Sequence, residues 1–228
     1  MNNDKLYFNE LGDSFNHYMN DYDVQQRQKL IFDDLLSRFS FRDKRILEVG
    51  CGTGKFTQVI AKKGADLMVL DIGANLVKKV REEFNCEGVV GDACNLPFES
   101  NSYEGVISSE CIEHTSEPIV AISEMCRICK PGGFVCITTP NKLWYPVLLL
   151  SLISGIRKFR GIENWIFPGK AKEVMKKSVM GKISLSGCHI LPFQISVLYP
   201  LLSKIDKFGR YLYPVMIDFG ICGVKKTT

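Results

Sequence analysis

The 228-residue sequence predicts an α/β fold, a parallel sheet doubly wound by helices on both faces. Three observations predict it. Five short apolar runs alternate with helical stretches between residues 45 and 139. A glycine-rich turn follows the first run without a break. The second and third runs each end at an aspartate, as do strands whose carboxyl ends face a ligand.

The elements follow in order. Residues 7 to 40 read as helical, with Leu30, Ile31, Leu35, Leu36 and Phe39 spaced for one buried face. Tyr7, Phe8, Phe15, Tyr18 and Tyr22 stand where they would cap a pocket or pack beneath it. Arg45 to Val49 is the first strand; it ends in Gly50-Cys51-Gly52-Thr53-Gly54, and a helix runs on through Lys63. Leu67 to Leu70 is the second strand, closed by Asp71, with a helix from Ala74 to Glu83. Gly88 to Val90 is the third, ending at Gly91-Asp92. Tyr103 to Ser109 is the fourth, followed by a helix from Glu117 to Lys130. Pro131-Gly132-Gly133 then turns the chain into a fifth strand, Phe134 to Thr139. From Pro140 to Lys182 the alternation stops, and aromatic, aliphatic and basic residues replace it. Ile183 to Phe193 reads as a strand, then comes a helical stretch, and Asp218 to Val224 is a final strand. The expected division is one domain over 1–228. It comprises a helical cap (1–40), a cofactor-binding core (41–139), a substrate-side or lid insertion (140–182) and a C-terminal part (183–228).

In an open parallel sheet, ligands bind beyond the carboxyl ends of the strands, where strand order reverses. The residues expected there are Gly50 to Gly54, Asp71, Asp92, Ser108 to Glu110 and Thr139 to Asn141. Glycines let a ligand approach the backbone closely, and the next helix offers free N–H groups. Asp71, 21 residues after Gly50, suits a ribose diol. Asp92 is placed to accept from an adenine amino group. Rival phosphate-binding patterns fail. A P-loop needs four residues between its glycines and Lys-Ser/Thr after them, whereas Lys55 here precedes Phe56. The turn reads G-x-G-x-G, without the third glycine of a dinucleotide fingerprint, and no tyrosine is followed four residues later by lysine.

As an ordered set, Ile46 to Gly54, Leu70-Asp71-Ile72, Gly91-Asp92-Ala93 with Leu96-Pro97-Phe98, and Lys130 to Gly133 resemble the motifs of class I S-adenosylmethionine-dependent methyltransferases, over residues 40 to 142. The resemblance implies a Rossmann-like seven-stranded sheet with its last strand antiparallel. It also implies S-adenosylmethionine as cofactor, with S-adenosylhomocysteine as product. Carried over residue by residue, Glu48, Gly50, Cys51, Gly52, Thr53 and Gly54 hold the methionine part, Asp71 with Ile72 the ribose, and Asp92 with Ala93 the adenine. Ser109 closes the cofactor set. Glu104 stands where Asp is commoner in the family.

Methyl transfer is an in-line displacement, so the protein aligns the partners and, for a hydroxyl acceptor, takes up a proton. His114, after the fourth strand, is the candidate base, with Glu110 and Glu113 beside it; a helix-start histidine satisfying nearby backbone is the competing reading. His17 and His189 lie in less diagnostic surroundings. Glu110-Cys111-Ile112-Glu113-His114 also resembles the E-x-x-E-H stretch of the ubiquinone-biosynthesis O-methyltransferases, which implies a divalent cation there. The expectation adopted is no metal, because E-H after this strand is widespread with or without one. Cys126 and Cys129 lack a second pair for zinc.

Pro146 to Ile156, followed by Arg157, Lys158 and Arg160, is too short at eleven residues to cross a bilayer. Flanked by Trp144, Tyr145, Trp165 and Phe167, residues 146–160 read either as a lid helix or as a peripheral membrane contact, and the two are compatible. The ubiquinone-type enzymes carry an insertion at the same place. Lys170, Lys172, Lys176, Lys177 and Lys182 would attract an anionic substrate or lipid surface. Nucleic acid is not expected, because the aromatics sit among aliphatics instead of alternating with basic residues.

Composition agrees with a globular enzyme: 46% hydrophobic and 24% charged residues exclude a disordered tail, and 19 Gly with 9 Pro exclude a collagenous chain. Met1 to Lys5 lacks the apolar stretch of a secretory leader. Nine scattered cysteines read as buried hydrophobes in a reducing, cytoplasmic setting. The net charge of +4 is lopsided: residues 1–139 carry −6 and residues 140–228 carry +10. The expected function is methyl transfer to a small-molecule or lipid-linked acceptor, at a hydroxyl oxygen. A non-catalytic S-adenosylmethionine-binding scaffold is the alternative and a dehydrogenase a distant third.

Overall fold

The computed structural model describes residues 20–155, 161–191 and 196–227. Seven strands form one sheet in the order β3-β2-β1-β4-β5-β7-β6. They are β1 (Arg45–Val49), β2 (Asp66–Asp71), β3 (Glu87–Val90), β4 (Tyr103–Ser109), β5 (Cys129–Pro140), β6 (Met180–Cys188) and β7 (Asp218–Lys225). β1 to β5 pair in parallel, and β7 runs antiparallel to both β5 and β6. This is the seven-stranded sheet with its last strand reversed that the motif resemblance implies.

Alternation along each buried strand supplies both faces of the core. Leu47, Val49, Leu70, Val106, Val135 and Ile137 face one side, under Ala121, Ile122 and Met125 of helix α4 (Pro118–Ile128) and Ala171, Val174 and Met175 of α6 (Pro168–Lys177). Ile46, Val69, Ile107, Cys136 and Cys222 face the other. There they meet Ile60 of α2 (Thr57–Lys62), Val80 of α3 (Ala74–Phe84) and the segment that follows α1 (Asp21–Lys29).

The N-terminal helical expectation, which ran to residue 40, holds from Asp21 to Leu35, and the helix loosens on the way. After Lys29, residues Leu30–Leu35 form a π-helical turn, a wider coil that brings Leu30, Ile31, Phe32 and Leu35 all into the core. Tyr7, Phe8, Phe15, His17 and Tyr18 lie outside the described residues, as do Arg157, Lys158 and Arg160.

Two boundaries differ from the sequence reading. Pro131-Gly132-Gly133 is not a turn before β5 but a bulge inside it: Tyr103 pairs with Cys129 and Gly105 already with Phe134. Gly132, at φ +79°, absorbs the extra residues. β6 starts three residues early, at Met180, and stops at Cys188, because pairing with β7 outweighs the apolar pattern that continues toward Phe193. The insertion after β5 holds α5 (Tyr145–Ile153) and α6, and two further helices, α7 (Tyr199–Asp206) and α8 (Gly209–Leu212), precede β7. No helix among the described residues is long and apolar enough to cross a membrane.

Candidate active site

The chain leaves β1 toward β2 and β3 on one side and returns through β4 on the other, so a crevice opens above the carboxyl ends of β1 and β4. Gly50 and Cys51 begin the loop there by donating their amides to the Leu70 carbonyl at 2.7 and 3.2 Å. Gly50 sits at φ +78°, and a Cβ on it would stand 2.4 Å from Cys111 Sγ, so the loop passes tightly against the β4 side. Gly52, at φ +49°, has nothing among the described residues within 4 Å of the same position. Open space above one glycine and tight packing under the other make a backbone shelf for a ligand.

Asp71 locks that shelf to β2. Its Oδ2 accepts from the Gly52 amide and its Oδ1 from the Gly73 amide, both at 2.9 Å. Burial raises its pKa, and the two amides oppose the rise. Each carboxylate oxygen keeps acceptor capacity for a diol. Beneath the loop Glu48 is buried and accepts from the Thr57 hydroxyl at 2.6 Å, which ties β1 to the start of α2. Burial pushes its pKa up to about 8, with Asp71 adding to the rise. Ile72 follows Asp71 at the half-buried lip. Beyond β3, the Asp92 carboxylate accepts from the Cys94 amide at 2.8 Å in a local turn, and Ala93 is buried beside it.

The β4 side carries the titratable groups. Ser109 and Thr138 share a hydroxyl hydrogen bond of 2.9 Å across β4 and β5. Glu113 is buried, accepts from the Thr139 hydroxyl at 3.0 Å, and lies 3.9 Å from His114 Nε2. Burial, with Glu110 next, holds Glu113 well above the usual carboxylate range. His114 Nδ1 lies 2.9 Å from the Ile162 carbonyl, which can only accept, so Nδ1 carries the proton and the basic nitrogen of the neutral ring is Nε2. Asn164 clamps the same loop: its amide donates to the Glu113 carbonyl at 2.7 Å and its Nδ2 to the Thr115 and Ser116 carbonyls at 2.7 and 3.2 Å.

A family profile for methyltransferase domains matches residues 47–137. The ubiquinone biosynthesis O-methyltransferase of Pectobacterium atrosepticum is 31% identical over 180 residues, 73% of this chain and 70% of that protein. The chain belongs to the class I S-adenosylmethionine-dependent methyltransferases. A biotin biosynthesis bifunctional protein of Teredinibacter turnerae is 30% identical over 225 residues, 88% of this chain, but the chain spans only 38% of its length. The fold matches the crystal structure of a SAM-dependent methyltransferase from Thermotoga maritima at a TM-score of 0.70 and 15% identity. That alignment covers 96% of this chain and 98% of the other.

The structure sets Gly50 to Gly54 and Asp71 at the carboxyl ends of β1 and β2, Asp92 and Ala93 just past β3, Ser109 at the end of β4, and Glu113 beside His114. Glu110 also reaches α1. Its Oε2 lies 3.2 Å from the Arg27 guanidinium of α1, and its backbone is left-handed at φ +51°. Burial lifts its pKa to about 7; Asp218 adds to the rise and Arg27 opposes it. Sequence reasoning missed Arg27, Ile162 and Asn164. Arg27 carried no motif, Ile162 acts through its backbone carbonyl, and Asn164 binds backbone carbonyls that no side-chain pattern signals. Lys170 and Lys177, expected to meet an anionic partner, lie 3.1 and 2.7 Å from Glu173 within α6.

Proposed function

We propose that this methyltransferase moves a methyl group from S-adenosylmethionine to a hydroxyl oxygen of a small-molecule or lipid-linked acceptor, with His114 as the general base. The observation that carries the reading is the His114 Nδ1–Ile162 hydrogen bond at 2.9 Å, which leaves Nε2 as the basic nitrogen. Glu48, Gly50 to Gly54, Asp71, Ile72, Asp92, Ala93 and Ser109 hold the cofactor. The residues fit it: an open glycine shelf suits the methionine portion, and Asp71 is fixed at the end of β2 with acceptor capacity for ribose hydroxyls. When bound, S-adenosylmethionine supplies an electrophilic methyl on a sulfonium sulfur.

His114 takes the acceptor's hydroxyl proton on Nε2 as the new O–CH3 bond forms. Glu113 borders the resulting imidazolium, 3.9 Å from Nε2. Glu110 holds Arg27, and through it α1, against the acceptor side of the crevice. Calorimetry with S-adenosylhomocysteine tests the cofactor half: heat for the natural chain and little for Asp71→Ala. Absence of heat in both overturns it. For the catalytic half, His114→Ala lowers kcat and leaves cofactor affinity nearly intact; an unchanged rate rejects the role. A chain that binds cofactor but labels no acceptor in a metabolite extract with isotope-labelled methyl donor is the scaffold alternative.

The acceptor side supports a peripheral lipid contact through residues 146–160 at the cytoplasmic membrane face. Leu149, Leu150 and Ile153 of α5 are exposed, as are Tyr211 and Val215. The Trp144 indole donates to the Val215 carbonyl at 2.9 Å, joining the two parts of the patch. Flotation with anionic liposomes at low salt retains the protein on this reading; failure to float discards it.

A further inference from the structure

A second polar cluster borders Arg27 and is given no role in the proton transfer above. Cys188 and His189 end β6, and Asp218 begins β7; Cys188 and Asp218 are direct register partners. One ligand atom from each of these three buried residues lies within 4.8 Å of the other two. Successive strand residues normally point to opposite faces, but His189 is left-handed at φ +62°, which lets its ring come round to the side of the Cys188 thiol.

We infer that Cys188 Sγ, His189 Nε2 and Asp218, joined by Asp23 of α1, form a binding site for one divalent transition-metal ion of the zinc type.

The observation that turns this group into a candidate site is His189. The residue is 8% exposed, and its Nε2 is buried with no hydrogen-bond partner among the described residues. That atom lies 3.9 Å from a carboxylate oxygen of Asp218 and 3.9 Å from one of Asp23. The separations are too long for hydrogen bonds. They suit two ligands on one ion: bonds of about 2.1 Å spread between a tetrahedral and a wider angle place the ligand atoms about 3.4–3.9 Å apart. The ring's other nitrogen is engaged by the Asp23 backbone, the outer contact that orients metal-bound histidines.

Asp23, Glu110 and Asp218 all act on Arg27, and Lys29 lies near Asp206. Asp206 accepts from the His189 amide at 2.9 Å through one oxygen, and its other oxygen is buried without a hydrogen-bond partner among the described residues. Sulfur, imidazole and carboxylate donors together select zinc-type ions over magnesium and calcium, which take oxygen ligands. On binding, the Cys188 thiol releases its proton to solvent and the thiolate bonds the ion. The ion would tie α1 to the β6–β7 edge.

The test uses the whole chain, reduced, stripped by chelator and titrated with Co²⁺. The expected result is one equivalent bound, with a thiolate-to-cobalt charge-transfer band that excess Zn²⁺ abolishes. Cys188→Ser removes that band, and His189→Gln weakens Co²⁺ binding roughly tenfold or more. A variant with Cys126 and Cys129 both changed to serine behaves as the parent. X-ray absorption of the zinc-loaded natural chain needs no variant to fold, and it should report a single sulfur among nitrogen and oxygen neighbours. Failure to bind one equivalent overturns the site. So does a spectrum unchanged by both Cys188→Ser and His189→Gln, or two or more sulfurs around the ion.

Discussion

Replacing Glu48 by glutamine should stabilise this protein in alkaline solution and leave it unchanged in acid. Glu48 is 2% exposed and accepts a hydrogen bond from Thr57 at 2.6 Å; a glutamine carbonyl can accept the same bond. The difference between the two side chains is therefore charge. Burial raises the Glu48 pKa from 4.5 to about 8. Its proton is held more tightly in the folded than in the unfolded chain, so the associated stabilisation is complete below about pH 4.5 and is lost as pH rises through about 8. Each tenfold change in proton affinity is about 1.4 kcal/mol, which puts the ceiling on the order of 4–5 kcal/mol. Relaxation around the carboxylate and its coupling to Asp71 lower this to about 2–4 kcal/mol. The assay is urea unfolding of both proteins at half-unit steps from pH 5 to pH 9. Glu48→Gln and its parent should coincide near pH 5, and the variant should lead increasingly toward pH 9. Groups remote from Glu48 titrate alike in both proteins and cancel. A stability difference that is flat with pH, or one that favours the parent at pH 9, refutes the account of Glu48 as a carboxyl that folding keeps protonated.

Three further outcomes are expected. Gly50→Ala meets Cys111 at 2.4 Å in a left-handed backbone and should cost on the order of 2–4 kcal/mol. Gly52→Ala, with open space around it, should cost only about 1 kcal/mol in urea unfolding, and equal costs would reject the tight passage of the loop. Asn164→Ala loses the bonds to the Thr115 and Ser116 carbonyls; kcat should fall severalfold while calorimetric affinity for S-adenosylhomocysteine holds. Lys225→Met strips an ammonium that donates to the Cys126, Arg127 and Cys129 carbonyls at 2.9, 3.1 and 2.8 Å, at the end of α4. Unfolding should register a loss of about 1–3 kcal/mol, with cofactor affinity unaffected.

The parts of this protein legible in its sequence are those governed by local rules. Strands β1 to β4 and the helices between them appear within a residue or two of their apolar runs, because β1, β2 and β4 are apolar enough to be buried on both faces and Gly or Asp residues punctuate the runs. The glycine turn, Asp71 and Asp92 were readable because backbone conformation and strand-end position follow from residue type and spacing. That the seventh strand runs antiparallel came only through family resemblance, since periodicity is blind to direction.

Tertiary structure alone decided the rest. β6 ends at Cys188 because its partner β7 begins at Asp218, not because its own composition changes. The Pro-Gly-Gly bulge belongs to β5 because β4 lies alongside and sets the register. Arg27, 83 residues before Glu110 in sequence, meets it at 3.2 Å only once α1 has packed over the sheet edge. His114 acquires a defined tautomer from the carbonyl of Ile162, 48 residues away. His189, undistinguished in the sequence, becomes a buried nitrogen facing two aspartates once antiparallel pairing and a left-handed turn bring it there. Side-chain pattern records what each residue can do, while burial and long-range pairing decide which of those capacities face one another.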